Sequence, residues 1–400
     1  MKQTTTDTRF RGLLLVIVVA QVLSCAAVWS QDLTIDRDVI VQGDSDWDWT
    51  QARTATIPGR TPMLLTTMSR TAKVGSHGYF DVFISVSEDS GIHWSEPIAI
   101  DPLKRKRQPD GYDVVAGDLW PVFHAQTDKV LVTGKTFNFE NGNKENILRE
   151  QVAYAVIDPK SMRCETLNTV AMPKQDHAGK PIIAPNAGCH QRVHLQNGEL
   201  LLPIRYQTDT KKRIYTSIVA RCRFDGETLG YIEHGTEHRI DTGRGLYEPS
   251  VTEFGGEYFL TMRADDDAYV AKSSDGIHYS DHKPWTFDNG ESLGSYHTQQ
   301  HWVTLKGKLY LVYTRRGANN DHIMRHRAPL FIAQVDPNKL CVIRSTEQVI
   351  VPENHATLGN SGVCVISPRE AWVTVAEGRV TQSERKGENN LVILAKITAP

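Results

Sequence analysis

The chain has 400 residues, 40% of them hydrophobic and 23% charged, with a formal net charge of −2. That is ample material for a large apolar core and excludes a disordered chain, and a charge this close to balance leaves no electrostatic footprint for nucleic acid. Helix-period segments of any length are hard to find; short β-branched and aromatic runs are broken by Gly, Asn, Asp and Pro every ~8 to 12 residues, so the chain reads as all-β.

Residues 1–30 read as a targeting segment and 31–400 as one domain. Lys2, Arg9 and Arg11 precede the apolar run Leu13 to Leu23, and the small residues Ser24, Cys25, Ala26 and Ala27 follow, the order of a secretory signal peptide. The run is short for a membrane span. Cleavage near Ser30 is the expected exit, with lipid attachment at Cys25 the alternative, because Val22-Leu23-Ser24-Cys25 is an imperfect lipobox. Either exit implies a secreted or periplasmic protein, in the second case lipid-anchored at the cell surface.

One strand-turn-strand pattern then recurs. Val193 to Arg205, Val251 to Arg263 and Val303 to Arg315 each open on a valine, turn at glycine, return through Leu, Tyr and Val, and reach an arginine at the same offset. Weaker copies fit at Val122 to Gly134, at Val363 to Val375 and around Arg53 to Arg70. A hairpin this short cannot bury its own apolar face, so the units must stack; six units of about 60 residues suit a six-bladed β-propeller with four-stranded blades. The cysteines beyond the targeting segment, Cys164, Cys189, Cys222, Cys341 and Cys364, are odd in number and widely spaced, which describes neither a disulfide framework nor a zinc site. They read as buried small hydrophobes, with Cys189–Cys222 the one pair placed to close. Lys104 to Arg107 and Asp265 to Asp267 read as solvated loops rather than an anion patch and a calcium site. No metal or cofactor motif is found.

Candidate site residues gather where innermost strands begin, because those starts line the axial pocket of a propeller. Three segments stand out: Cys189-His190-Gln191-Arg192, Arg244 to Glu248 with Tyr247, and Tyr296 to Trp302 with His297, Gln300 and His301. His190 and His297 are candidates for proton transfer, and Arg192, Tyr247 and Gln300 for ligand contact. His301 beside Trp302 reads as packed, and Arg205 and Arg315 share the repeat register of Arg263, which fits a structural role between blades.

Ser87-Glu88-Asp89-Ser90-Gly91-Ile92-His93-Trp94 matches the Asp-box turn S-x-D-x-G-x-x-W, and Ser273 to Tyr279 is a shortened copy about three blades farther on. On these motifs and the repeat, the chain from about residue 45 resembles a bacterial member of the sialidase superfamily, exo-α-sialidase-like. The resemblance implies a carboxylate clamp of three arginines, for which Arg53, Arg263 and Arg327 stand in the corresponding segments, and an activating glutamate, Glu248. It implies an acid/base aspartate, for which Asp81 and the nearby His77 are the candidates. The chain departs from the family at the nucleophile: Asn360-Ser361-Gly362-Val363 stands where the tyrosine begins the last blade, so attack by water, by a substrate group or by another carboxylate such as Glu377 is implied instead.

The implied activity is hydrolysis at a non-reducing end bearing a carboxylate, a sialic or uronic acid, so the expected partner is an acidic glycan. Two alternatives stand beside it. A uronic-acid lyase on the propeller fold would use His190, Arg192, Arg205 and Tyr206, and a carbohydrate-binding propeller without catalysis would explain the missing tyrosine.

Overall fold

The computed structural model of the protein describes Met1 and residues 33–72, 78–140, 142, 144–378 and 390–400. The expected targeting segment, Met1 apart, and His77 lie outside the described residues. Six antiparallel sheets form a ring, a six-bladed β-propeller. The innermost strands are Trp47–Ile57 in blade 1, Tyr112–His124 in blade 2, Ile183–Asn186 with Val193–His194 in blade 3, Tyr247–Phe254 in blade 4, His301–Leu305 in blade 5 and Ser361–Ser367 in blade 6. Each of the five valine-led repeats occupies the first hairpin of a blade, and the Arg53 to Arg70 copy does the same in blade 1.

The apolar faces meet between blades. Leu260 and Val251 of blade 4 pack with Leu201 and Val219 of blade 3; Phe259, Val270 and Trp285 pack on the other side with Trp302, Leu311 and Ala333 of blade 5. Both faces of each sheet are therefore covered, and a strand such as Glu199–Gln207 is buried along its whole length. Polar bonds fix the blades at the same depth: Trp302 Nε1 donates to the Ser250 carbonyl at 2.9 Å, and Thr54 Oγ1 meets Thr374 Oγ1 at 2.7 Å.

The ring closes in blade 6, where Leu391–Thr398 pairs with Glu370–Ala376 on one side and with Thr34–Gln42 on the other. Closure by the two ends of the domain completes the sixth blade, so that only short, protected edges remain. In the turn after blade 1's third strand, Ser87 Oγ accepts Gly91 N–H at 2.8 Å, and Asp89 Oδ1 accepts Ile92 and His93 N–H at 3.1 and 2.9 Å. Gly91 has φ +77, and a Cβ there would lie 2.7 Å from the Trp372 ring, so backbone and space both require glycine. Trp94 then packs on Leu64, Trp372 and Leu394, sealing blade 1 against blade 6.

Two sequence expectations are corrected. Among the described residues every cysteine is free: Cys189 sits on the axial backbone beside Asp118, whereas Cys222 belongs to the core between blades 2 and 3. The Lys104 to Arg107 run is solvated at Lys106 and Arg107 as expected, but not at Arg105. Arg105 lies over Phe80 and Phe139, and Asp113 takes up both Arg105 and Arg107.

Candidate functional site

A repeated backbone device builds the site. In blades 1 to 4 the innermost strand bulges at the same register: two residues oppose one between the pairs Thr50↔Ser69 and Arg53↔Thr67, Gly117↔Lys135 and Trp120↔Thr133, Ile183↔Gln207 and Asn186↔Arg205, and Tyr247↔Arg263 and Ser250↔Thr261. The first bulge residue has positive φ in every case: Gln51 57°, Asp118 52°, Ala184 49° and Glu248 47°. Non-glycine residues adopt this region at a cost of order 1–3 kcal/mol, and such strain gathers at sites where the bulge re-aims a side chain. Cys189 at 61° and His297 at 51° add two more strained positions, before the innermost strands of blades 3 and 5 continue.

Glu248 sits in a strongly positive field. Arg263, opposite Tyr247 on the neighbouring strand, donates Nη1 to Glu248 Oε2, with the two side chains 7% and 23% exposed. Burial alone would raise the Glu248 pKa; the charge and hydrogen bond of Arg263, with Arg327 and His190 behind them, bring it down to about 2. Glu248 is therefore a carboxylate throughout the physiological range. Burial, then the Arg263 charge, depress Arg327 to about 10. Arg327 Nη2 donates to the His297 carbonyl at 2.6 Å, and the Nε atoms of Arg263 and Arg327 have no partner among the described residues. Arg263 holds the Glu248 carboxylate directly, and Arg327 adds its positive charge to the field around it.

Tyr247 forms the wall beside this pair, with the Arg244 and Arg263 guanidinium groups each 4.7 Å from its ring centroid. Its hydroxyl donates to Asp265 Oδ1 at 2.6 Å, and Asp265 also binds Arg244 and faces His297 Nδ1 at 3.4 Å. Asp265 thus serves the axial network instead of a solvated loop. Burial lowers His297 to about 4, aided by Arg263 and Arg244 against the opposing pull of Asp265, and burial lowers His190 to about 3. Both imidazoles are neutral near pH 7. His190 is fully buried, its Nδ1 2.8 Å from the Pro203 carbonyl and its Nε2 unpartnered.

Beneath these groups lies a second layer. Arg53 is 0% exposed, donating to the Gln51 and Leu119 carbonyls and, at 3.2 Å, to Gln299 Oε1, with Asp118 Oδ1 3.9 Å away. Gly362 leaves room for it: a Cβ there would lie 2.5 Å from Arg53 Cγ. Asp118 carries the opposite perturbation to Glu248, its pKa raised chiefly by burial, with Glu248 and Glu150 adding to the rise against Lys135 and Arg53. Lys135 binds Glu150 at 2.9 Å, and Glu150 also pairs with Arg205, which holds the Ala184 carbonyl. Tyr79 lies over Phe137, within the field of Asp118, Lys135 and Arg327; burial raises its pKa.

The structure therefore brings together Glu248, Arg263, Arg327, Tyr247, His190, His297 and, one layer down, Arg53. It leaves three sequence candidates elsewhere. Asp81 lies in the third strand of blade 1 and accepts the Arg105 backbone N–H at 3.0 Å. Arg192 turns into blade 2, its donors taken by the Trp120 and Leu131 carbonyls and Thr133 Oγ1. Gln300 is fully buried between Thr261, Ser295 and Thr298. The set proposed for a lyase is dispersed as well, since Tyr206 is buried and reaches outward to Asp176. Glu377 is held by Leu391 N–H and Asn354 in blade 6, and Asn360, at the place of the missing tyrosine, accepts Gln299 Nε2 at 2.8 Å. Sequence reading missed Asp118, Tyr79, Lys135 and the Arg244–Asp265 pair. Asp118 had one signal, its place four residues before a repeat valine, next to the three-residue offset of Glu248 before Val251.

The fold is that of a sialidase-like β-propeller. No family profile matches the chain, and no curated protein matches it. Solved structures do. A protein of unknown function from Dyadobacter fermentans is 12% identical over 92% of this chain and 99% of its own, with a TM-score of 0.64. Trypanosoma rangeli sialidase is 13% identical with the same TM-score over 90% of this chain, which spans only 59% of that protein. A Hadza microbial sialidase is 14% identical over 88% of this chain and 66% of its own, with a TM-score of 0.62. The trypanosomal enzyme has been solved with sialic acid bound.

Proposed function

We propose that the protein is an exported glycoside hydrolase of the sialidase superfamily that acts on the non-reducing end of a glycan bearing a carboxylate, a sialic or uronic acid. The observation that carries this reading is the Glu248–Arg263 pair with Arg327 beside it, on a strained bulge facing the axis. Two guanidinium forks around a single carboxylate are suited to accept a second one. Arg263 and Arg327 would hold the substrate carboxylate, with Arg53 contributing charge from below and Tyr247 forming the wall.

Glu248 and Asp118 have environments that push their pKa values apart, the pattern of an acid and base pair. Asp118, with its raised pKa, takes the proton-donor role that the resemblance had given to Asp81. It protonates the leaving oxygen as the glycosidic C–O bond breaks, while the Glu248 carboxylate stabilises the developing positive charge at the anomeric carbon. Water adds to that carbon and loses its proton to Glu248, whose basicity rises once Arg263 turns part of its charge to the substrate. No phenol is required. The turns at Ser87 and Ser273 are read as Asp boxes of this superfamily, and export follows from the targeting segment.

The test is turnover of sialyl and glucuronyl aryl glycosides by the purified protein, following aglycone release and near-ultraviolet absorbance together. Release without absorbance supports hydrolysis, and an absorbing unsaturated product would turn the reading to the lyase. Saturable binding of acidic sugars with no turnover would leave a binding propeller.

A further inference from the structure

A cluster at the rim of blade 3, apart from the axial site, joins His177, His234 and Glu237, with ligand atoms all within 4.8 Å of one another. His234 ends the outermost strand Leu229–His234 and is 5% exposed. Its Nε2 lies 3.0 Å from Glu237 Oε1, which is 3.7 Å from Nδ1 of the exposed His177. The two imidazoles are parallel within 3°, centroids 4.2 Å apart. His177 stands on a tight turn, Asp176 N–H to the Lys180 carbonyl, in the segment that leads from blade 2 into blade 3.

We propose that this cluster is a zinc-class divalent cation site that ties the connecting segment to the outer edge of blade 3. Neighbouring ligands on tetrahedral zinc with bonds of 2.0–2.1 Å sit roughly 3.3 Å apart, and the two separations bracket that value. His234 Nδ1 meets the Tyr231 hydroxyl at 2.7 Å, the outer contact that fixes an imidazole ring and presents its other nitrogen to a metal. Imidazole and carboxylate together favour zinc over calcium or magnesium, and three protein ligands leave a fourth position for water. Because the rings stack in parallel and the His177 backbone N–H already donates to Glu237 Oε1 at 2.8 Å, binding requires the exposed His177 ring to turn about χ1 until its lone pair meets that of His234. A second cluster, His322, Glu353 and His355, has similar ligand spacing, but both of its imidazoles are half-exposed and the side chain that pairs with them is the Glu353 carboxylate of the cluster itself.

The full chain, stripped with a chelator, is titrated with Zn²⁺ in competition with a fluorescent zinc indicator, and with Co²⁺ followed by its visible absorption. One tight equivalent per chain is expected, lost in His177→Ala and Glu237→Gln, retained in His322→Ala, and weakened roughly tenfold to a hundredfold in Tyr231→Phe. Zinc should raise the unfolding temperature of the parent protein but not of His177→Ala, an exposed substitution that the fold tolerates. Absence of a one-to-one equivalent, or its loss only in His322→Ala, overturns the proposal.

Discussion

Replacing Arg263 by alanine separates the two tasks assigned to this guanidinium. In the folded protein Arg263 neutralises a carboxylate that is 23% exposed, so its removal leaves Glu248 facing only Arg327 and His190. Breaking a buried pair from one side costs about 3–5 kcal/mol, and the partial exposure of Glu248 places this case near 3. Arg263→Ala with Glu248→Gln removes both members of the direct ion pair, leaving Arg327 as the remaining charge, and should recover roughly 2 kcal/mol of that loss. Binding should not recover, because the fork that meets the substrate carboxylate is still missing; a loss of about 2 kcal/mol or more corresponds to ~30-fold in affinity. Denaturation midpoints of the single and double variants, with calorimetric titration of sialic and glucuronic acids, make the comparison. If Arg263→Ala is as stable as the parent, or if the double variant regains acidic-sugar binding, the dual role is refuted.

Glu248→Gln should abolish turnover while changing ligand affinity by less than about tenfold, measured as kcat against Kd on the same glycosides. Because the Glu248 pKa is depressed to about 2, its contribution to stability is present above the ordinary carboxylate value of 4.5 and should be lost as pH falls from there towards 2; acid unfolding of Glu248→Gln should lack that component. Asp118 has the opposite sign: its raised pKa makes the ionised form a burden as pH rises, so Asp118→Asn should be more stable than the parent at neutral pH yet inactive, and the alkaline limb of the parent's pH–rate profile should follow Asp118 ionisation. Gly359→Ala places a Cβ 2.6 Å from Arg327 Cδ, so it should raise KM for acidic substrates with little change in unfolding temperature. Arg192→Ala should do the reverse, destabilising the blade 2–blade 3 junction by about 3 kcal/mol in chemical denaturation without altering substrate affinity within the folded protein.

The ring was legible because its signal is repeated. Val193, Val251 and Val303 each open a first hairpin, and the stacked apolar faces explain why Leu and Val recur on both sides of those strands. Arg263 and Glu248 were legible from their offset within one hairpin, where pairing across two strands brings them together. Asp118 was not, since the bulge puts Asp118 itself, not its neighbour Gly117, in the left-handed region, and alternation then fails to say which way the side chain points. Arg192 shows the converse error. It lies near the axis in sequence, but its long side chain turns sideways to carbonyl groups of the adjacent blade, a choice set by tertiary partners alone. Repeated arginines mislead for the same reason: Arg205 finds Glu150 and Arg315 finds Glu347, on different elements, so one register supports different partners.

The shared bulge gives this scaffold interchangeable sockets. Gln51, Asp118, Ala184 and Glu248 occupy one backbone setting around the ring as an amide, an acid held towards its neutral form, a methyl group and an ionised carboxylate. None of the four belongs to the apolar clusters between blades, although Gln51 is itself held in place by the Asp118 N–H and Ser69. A relative of this protein could thus change its chemistry by rotating residue identities among four fixed addresses, and a designer could do the same, writing a new acid at residue 51 or 184 while every strand keeps its register.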